Sequence, residues 1–178
     1  MLRIIVRYGV IGGLIVAVPL FTITLFFSQH TESSWDWAIG YLIMLVGLST
    51  IFLAVKKHRD TDLGGVIRFW PAFGIGLGIS FVAGLFYVIA WETVLDVGHL
   101  DFAGKYAQAM IDAAKAKGLT GDALAKAIAE ADQFKVMYNN PLYRIPETFM
   151  EIFPVGVLVS LISAGLLRNS RFLAVKRA

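Results

Sequence analysis

The chain has 178 residues, of which 57% are hydrophobic and only 16% charged, with a formal net charge of +3 and no cysteine. Soluble domains carry about 25% charged and about 45–50% apolar residues, so this composition excludes an ordinary water-soluble domain, and its hydrophobicity excludes a disordered chain. The lack of cysteine excludes a disulfide scaffold and any thiolate metal or redox site.

Crossing about 30 Å of hydrocarbon takes about 20 helical residues. The first charge-free run, residues 8–31, lies between Arg7 and Glu32. It is longer than a signal-peptide core and is followed by no small-x-small cleavage pattern, so it reads as a retained span. The next runs are residues 37–55, before Lys56, and residues 69–91, before Glu92. The fourth, residues 152–167, covers only roughly 24 Å at about 1.5 Å per residue. Its helix is therefore expected to begin near Thr148, with Glu151 about one turn inside the boundary. The spans are placed at about 5–28, 37–55, 69–91 and 148–167. The runs do not alternate with period two, which argues against membrane strands.

Basic residues concentrate on one side. Arg3, Arg7, Lys56, Lys57, Arg59, Arg68 and the tail cations Arg168, Arg171, Lys176 and Arg177 face only Asp60 and Asp62. The positive-inside rule puts both termini and the loop between spans two and three in the cytoplasm. The cations set topology and meet anionic lipid there, which removes the need for a nucleic-acid partner. Trp35, Trp37, Trp70 and Trp91 fall at the expected interfaces, as an aromatic belt does.

Between spans three and four the composition turns polar and alanine-rich, and two amphipathic helices fit. The first runs from about Phe102 to Lys117, with Phe102, Tyr106, Met110 and Ala113 on one stripe. Gly118 is a stop signal. Thr120 suits the N-cap of the second helix, whose stripe is Leu124, Ile128, Ala131, Phe134 and Tyr138. Asn139-Asn140-Pro141 ends it. The pair reads as an extracytoplasmic helical hairpin over about 100–140. Its stripes face each other, the membrane surface or another protein.

Small residues recur four apart in the spans: Gly9 with Gly13, Gly74 with Gly78, Ser80 with Gly84, and Gly156 through Ser160 to Ala164. In lipid such residues let helix backbones approach closely, within one bundle or between protomers. The Gly74–Gly78 run lacks the Gly-x-Gly-x-x-Gly spacing and the βα context of a nucleotide loop. Pro19 and Pro154 each remove a backbone donor inside a span.

The informative ionisable residues are Glu92, Glu147 and Glu151. Glu147 and Glu151 are four apart and share a helix face. A carboxylate within a span is costly, from about 2.5 kcal/mol upward. It calls for protonation, for pairing with Arg144 or a lysine, or for a wet cleft. One reading is an outward-facing proton or cation site of Glu92, Glu147 and Glu151. The simpler one is interfacial carboxylates favoured near a helix N-terminus. His30, His58 and His99 fall in three loops on two sides of the membrane, so no three-histidine metal centre is expected. No Gly-x-Ser-x-Gly elbow and no phosphate-binding loop appears. No cofactor and no enzymatic activity are expected.

Three stretches carry a family resemblance. They are Gly40-Tyr-Leu-Ile-Met-Leu-Val-Gly-Leu-Ser-Thr-Ile-Phe-Leu-Ala-Val-Lys-Lys-His-Arg-Asp60, residues 73–87 closing on Gly-Leu-Phe-Tyr, and Gln133-Phe-Lys-Val-Met-Tyr-Asn-Asn-Pro141 leading into Glu151-Ile-Phe-Pro-Val-Gly-Val-Leu-Val-Ser-Leu-Ile-Ser163. With the order of elements, the chain resembles the bacterial DUF4199 membrane family over nearly its whole length. The resemblance implies four spans and supplies no catalytic residues.

The expected architecture is all-α: a four-helix transmembrane bundle forming a single integral membrane domain over 1–178, with the hairpin between spans three and four. The expected role is a structural or accessory subunit of the bacterial inner membrane. Its partners are the lipid bilayer and a second copy or another membrane protein. The alternative is a small proton- or cation-coupled transporter or channel using the outer-leaflet carboxylates.

Overall fold

The computed structural model describes residues 1–26 and 36–174. Expectations for His30, Glu32 and Trp35 lie outside the described residues. Among those described, the chain is about 85% helical and has no strand. Four helices are long and apolar enough to cross a membrane, as in a multi-pass membrane protein.

Helix α1 is Leu2–Phe26, with Pro19 inside it. The second span is formed by α2 (Asp36–Leu48), α3 (Thr50–Lys57) and a π-helical turn, His58–Asp62. The joint at Ser49 is a bend rather than a break, because the Ser49 amide still donates to the Leu45 carbonyl at 2.9 Å. Ser49 Oγ donates to the Val46 carbonyl at 2.6 Å, and Thr50 Oγ1 to that of Gly47 at 2.7 Å. Such hydroxyls compete with the helical ladder and bend the helix.

Helix α4 is Phe69–Val97, 29 residues, and α7 is Pro141–Leu167, 27 residues. At about 1.5 Å per residue both exceed the roughly 30 Å of hydrocarbon. The short fourth apolar run therefore sits in a helix that begins at Pro141, not near Thr148. Proline is favoured at a helix's first position, where its missing N–H costs nothing. Helices α5 (Phe102–Ala116) and α6 (Gly121–Tyr138) lie between α4 and α7 in the chain.

The chain forms two compact units. The first is residues 1–91 with 149–178, and the second is residues 92–148. The core of the first gathers Val16, Leu48, Ile51, Val55, Ile75, Ile79, Ile152 and Leu167. Glycines set its helix spacing. A Cβ on Gly12 would stand 2.6 Å from Thr50 Oγ1 and 2.8 Å from the Gly47 carbonyl oxygen, so α1 touches the bend of span two almost backbone to backbone.

In the second unit the aromatic stripes of α5 and α6 face each other. Tyr106 and Phe134 ring centroids are 4.9 Å apart, and Phe102 and Tyr138 are 5.2 Å apart. The Asp101 carboxylate caps α5 by accepting from the Gly104 amide at 2.8 Å. Gly118, at φ +76°, turns the chain out of α5, and the Leu119 amide donates to the Ala114 carbonyl at 3.2 Å, as in a Schellman stop. Thr120 occupies the N-cap of α6, but its side chain makes no capping bond.

Candidate functional site

Helices α4 and α7 meet in the first unit along small residues. A Cβ on Gly76 would stand 2.5 Å from Ser160 Oγ, and one on Gly156 the same distance from Ser80 Oγ. Gly84 accommodates the ring of Phe149, and Ala164 is buried. Ser80 Oγ donates to the Gly76 carbonyl at 2.9 Å and Ser160 Oγ to that of Gly156 at 2.7 Å. The two hydroxyls also lie 3.4 Å apart across the helix interface, where either can donate to the other. On the other side of α4, Gly9 meets Val82, Gly13 meets Phe86 and Gly78 meets Ile5 of α1. Gly74 faces open space, and the close approach at that level is made by Gly76.

Glu151 and Glu92 each have a partner within their own unit. Glu151, in the first unit, accepts from the buried Tyr87 hydroxyl at 2.8 Å. Tyr87 lies one turn inside Trp91 on α4, so this pair belongs to a span. Glu92, in the second unit, is held by Arg144. Arg144 Nε donates to Oε1 at 2.7 Å and a terminal nitrogen to Oε2 at 2.5 Å. The side chains are only 15% (Arg144) and 28% (Glu92) exposed. Two parallel bonds of this kind fix direction as well as charge. Arg144 also lies 6.0 Å from the Tyr138 ring centroid and donates to the Tyr138 carbonyl at 3.4 Å. Arg144 is thus the partner of Glu92, and Glu147 is exposed. A cleft of about 400 Å³ beside the pair is lined by Glu92, Asp96, Phe102, Tyr138, Asn139 and Arg144.

The sequence did not single out Arg59, the largest fully buried side chain among the described residues. It lies in the π-helical turn that follows α3, in the first unit, 0% exposed. Its guanidinium donates to Asp60 Oδ1 at 2.6 Å and to the carbonyls of Phe172 and Leu173 at 2.9 Å each, with the Leu167 carbonyl at 3.5 Å. The cation therefore sits at the C-terminus of α7, where the helix dipole favours positive charge, and ties down the segment that follows. Asp60 also accepts from Lys56, and His58 Nδ1 lies 2.6 Å from Asp62. The Lys-Lys-His-Arg-Asp run was the signal, but only as a charge cluster.

A family model described as a protein of unknown function (DUF4199) matches residues 7–169. The chain belongs to the DUF4199 family. No curated protein and no solved structure matches it. In this DUF4199 protein no group of three histidine, aspartate or glutamate side chains is placed to hold a metal ion among the described residues.

Proposed function

We propose that this DUF4199 protein is a non-enzymatic structural or accessory subunit of a bacterial inner membrane, with both termini cytoplasmic, that packs against itself or another membrane protein. The observation that carries the reading is the closure of the helix interfaces in the first unit. Between α4 and α7, as between α1 and the bend of span two, glycines bring the helices to near-backbone contact. The Ser80 and Ser160 hydroxyls are satisfied by carbonyls of their own helices and by each other. A solute path needs free polar groups around a cavity, and these interfaces are packed instead.

A second reading, a small proton- or cation-coupled transporter, draws on one observation: Glu151 sits in a span with a tyrosine hydroxyl on its carboxylate. Flux measurements in proteoliposomes separate the two. The accessory reading expects proton and monovalent cation flux no greater than in empty vesicles. Flux above that background, lost in a folded Glu151→Gln variant, overturns it.

A further inference from the structure

We propose that the first two turns of α1, carrying Arg3 and Arg7, bind the phosphate of an anionic phospholipid. The argument begins with register. Ile5 packs on Gly78, Gly9 on Val82 and Gly13 on Phe86, so α1 runs parallel to α4 at a constant offset. Arg3 and Arg7 then stand beside residues 76 and 80, roughly 10 and 16 Å along α4 from Phe69. The opposite neighbour agrees in direction. Gly12 meets Gly47 and Thr50, which puts Arg7 near Leu53, about one turn inside the end of α3.

Both arginines are exposed and lie four residues apart on one stripe of a spanning helix. Arginine at this depth bends its stem back toward the interface and draws anionic headgroups to it. Leu2, Val6 and Ile11, all exposed around the two arginines, supply an apolar bed for acyl chains. Charge decides the occupant. Asp60 is taken by Lys56 and Arg59, and Asp62 by His58. Arg3, Arg7, Lys57, Arg68, Arg168 and Arg171 make no ion pair among the described residues. So many cations without an acidic partner match a lipid surface with many phosphates better than a single carboxylate of a partner protein. Anionic headgroups attract juxtamembrane cations in this way.

The test uses the full chain in nanodiscs of phosphatidylcholine carrying a small fraction of photoreactive phosphatidylglycerol or photoreactive phosphatidylcholine. Cross-linked residues are mapped by peptide mass spectrometry. Phosphatidylglycerol is expected to label the first two turns of α1 in clear preference to phosphatidylcholine. Arg7→Gln is expected to lower that labelling about fivefold, Arg7→Lys to retain most of it, and Lys126→Gln, on α6, to leave it unchanged. The single substitution leaves the remaining cations to hold topology. Equal labelling by the two lipids, or wild-type labelling in Arg7→Gln, overturns the proposal.

Discussion

Replacing Arg59 by methionine removes a buried cation while keeping most of its volume. The guanidinium holds Asp60 and two carbonyls at 2.9 Å or less, with a longer contact to Leu167. A hydrogen bond to a charged group contributes about 1.5–3 kcal/mol, so three good bonds would suggest a very large loss. Two facts reduce it. Asp60 keeps its Lys56 partner, and the carbonyls of Phe172 and Leu173 belong to a surface segment that can turn to water. The expected loss is about 3 kcal/mol, at the lower end for breaking a buried pair. On the scale for chains of this size it lowers Tm by about 6–12 °C. Arg59→Lys keeps the charge but not the planar fork, so it is expected to fall between. Detergent-solubilised protein followed by thermal denaturation reads the first quantity. Trypsin cleavage after Arg168 and Arg171, resolved by mass spectrometry, reads release of the segment beyond α7. A Tm change under about 2 °C together with wild-type cleavage would refute the reasoning.

Three further expectations follow from the packing. Gly156→Val drives a side chain into Ser80 and is expected to cost about 1–3 kcal/mol as overpacking, whereas Gly74→Ala, into open space, leaves Tm level or raises it; the two melts measured side by side check the register of α4. A double-mutant cycle of Glu92→Gln and Arg144→Gln is expected to give a coupling of about 1–2 kcal/mol in urea or thermal unfolding, and additive single losses would contradict the pair. Thr148 is buried with no hydrogen-bond partner for its hydroxyl, so Thr148→Val is expected to be neutral or to stabilise by about 1 kcal/mol, and a clear loss of Tm would contradict that environment.

The four spans were legible because charge-free runs of the right length have few other uses. The start of the helix that carries the last span was not. Hydropathy stops at Glu151, yet α7 reaches back through Pro146 to Pro141, and prolines usually argue against a helix interior. The Ser49-Thr50 bend carries a local signal in its two hydroxyls, masked by the apolar run around it. Spacing found the small residues but not their phase. Gly74, Gly76 and Gly78 offer several faces, and only the helices packed around α4 choose Gly76 for α7 and Gly78 for α1. Arg144 and Glu92 are 52 residues apart in the chain, so no local pattern could pair them. Arg59 was hidden for a different reason. A topology argument counts every cation alike, and burial of one among them depends on where the end of α7 comes to rest.

The proposed role turns on whether the protein is found with a fixed membrane partner. Isolation of the tagged chain from its own membrane into native nanodiscs, with mass spectrometry of the contents, measures this directly. The aromatic stripes of α5 and α6 are spent on each other, so the outward residues Val136 and Leu142, 73% and 84% exposed, are the ones to vary. The account predicts a second copy or another membrane protein at fixed stoichiometry, lost in Val136→Asp with Leu142→Asp while the helices remain folded. A lone chain in the nanodisc, accompanied by proton or cation flux that Glu151→Gln abolishes, would contradict it.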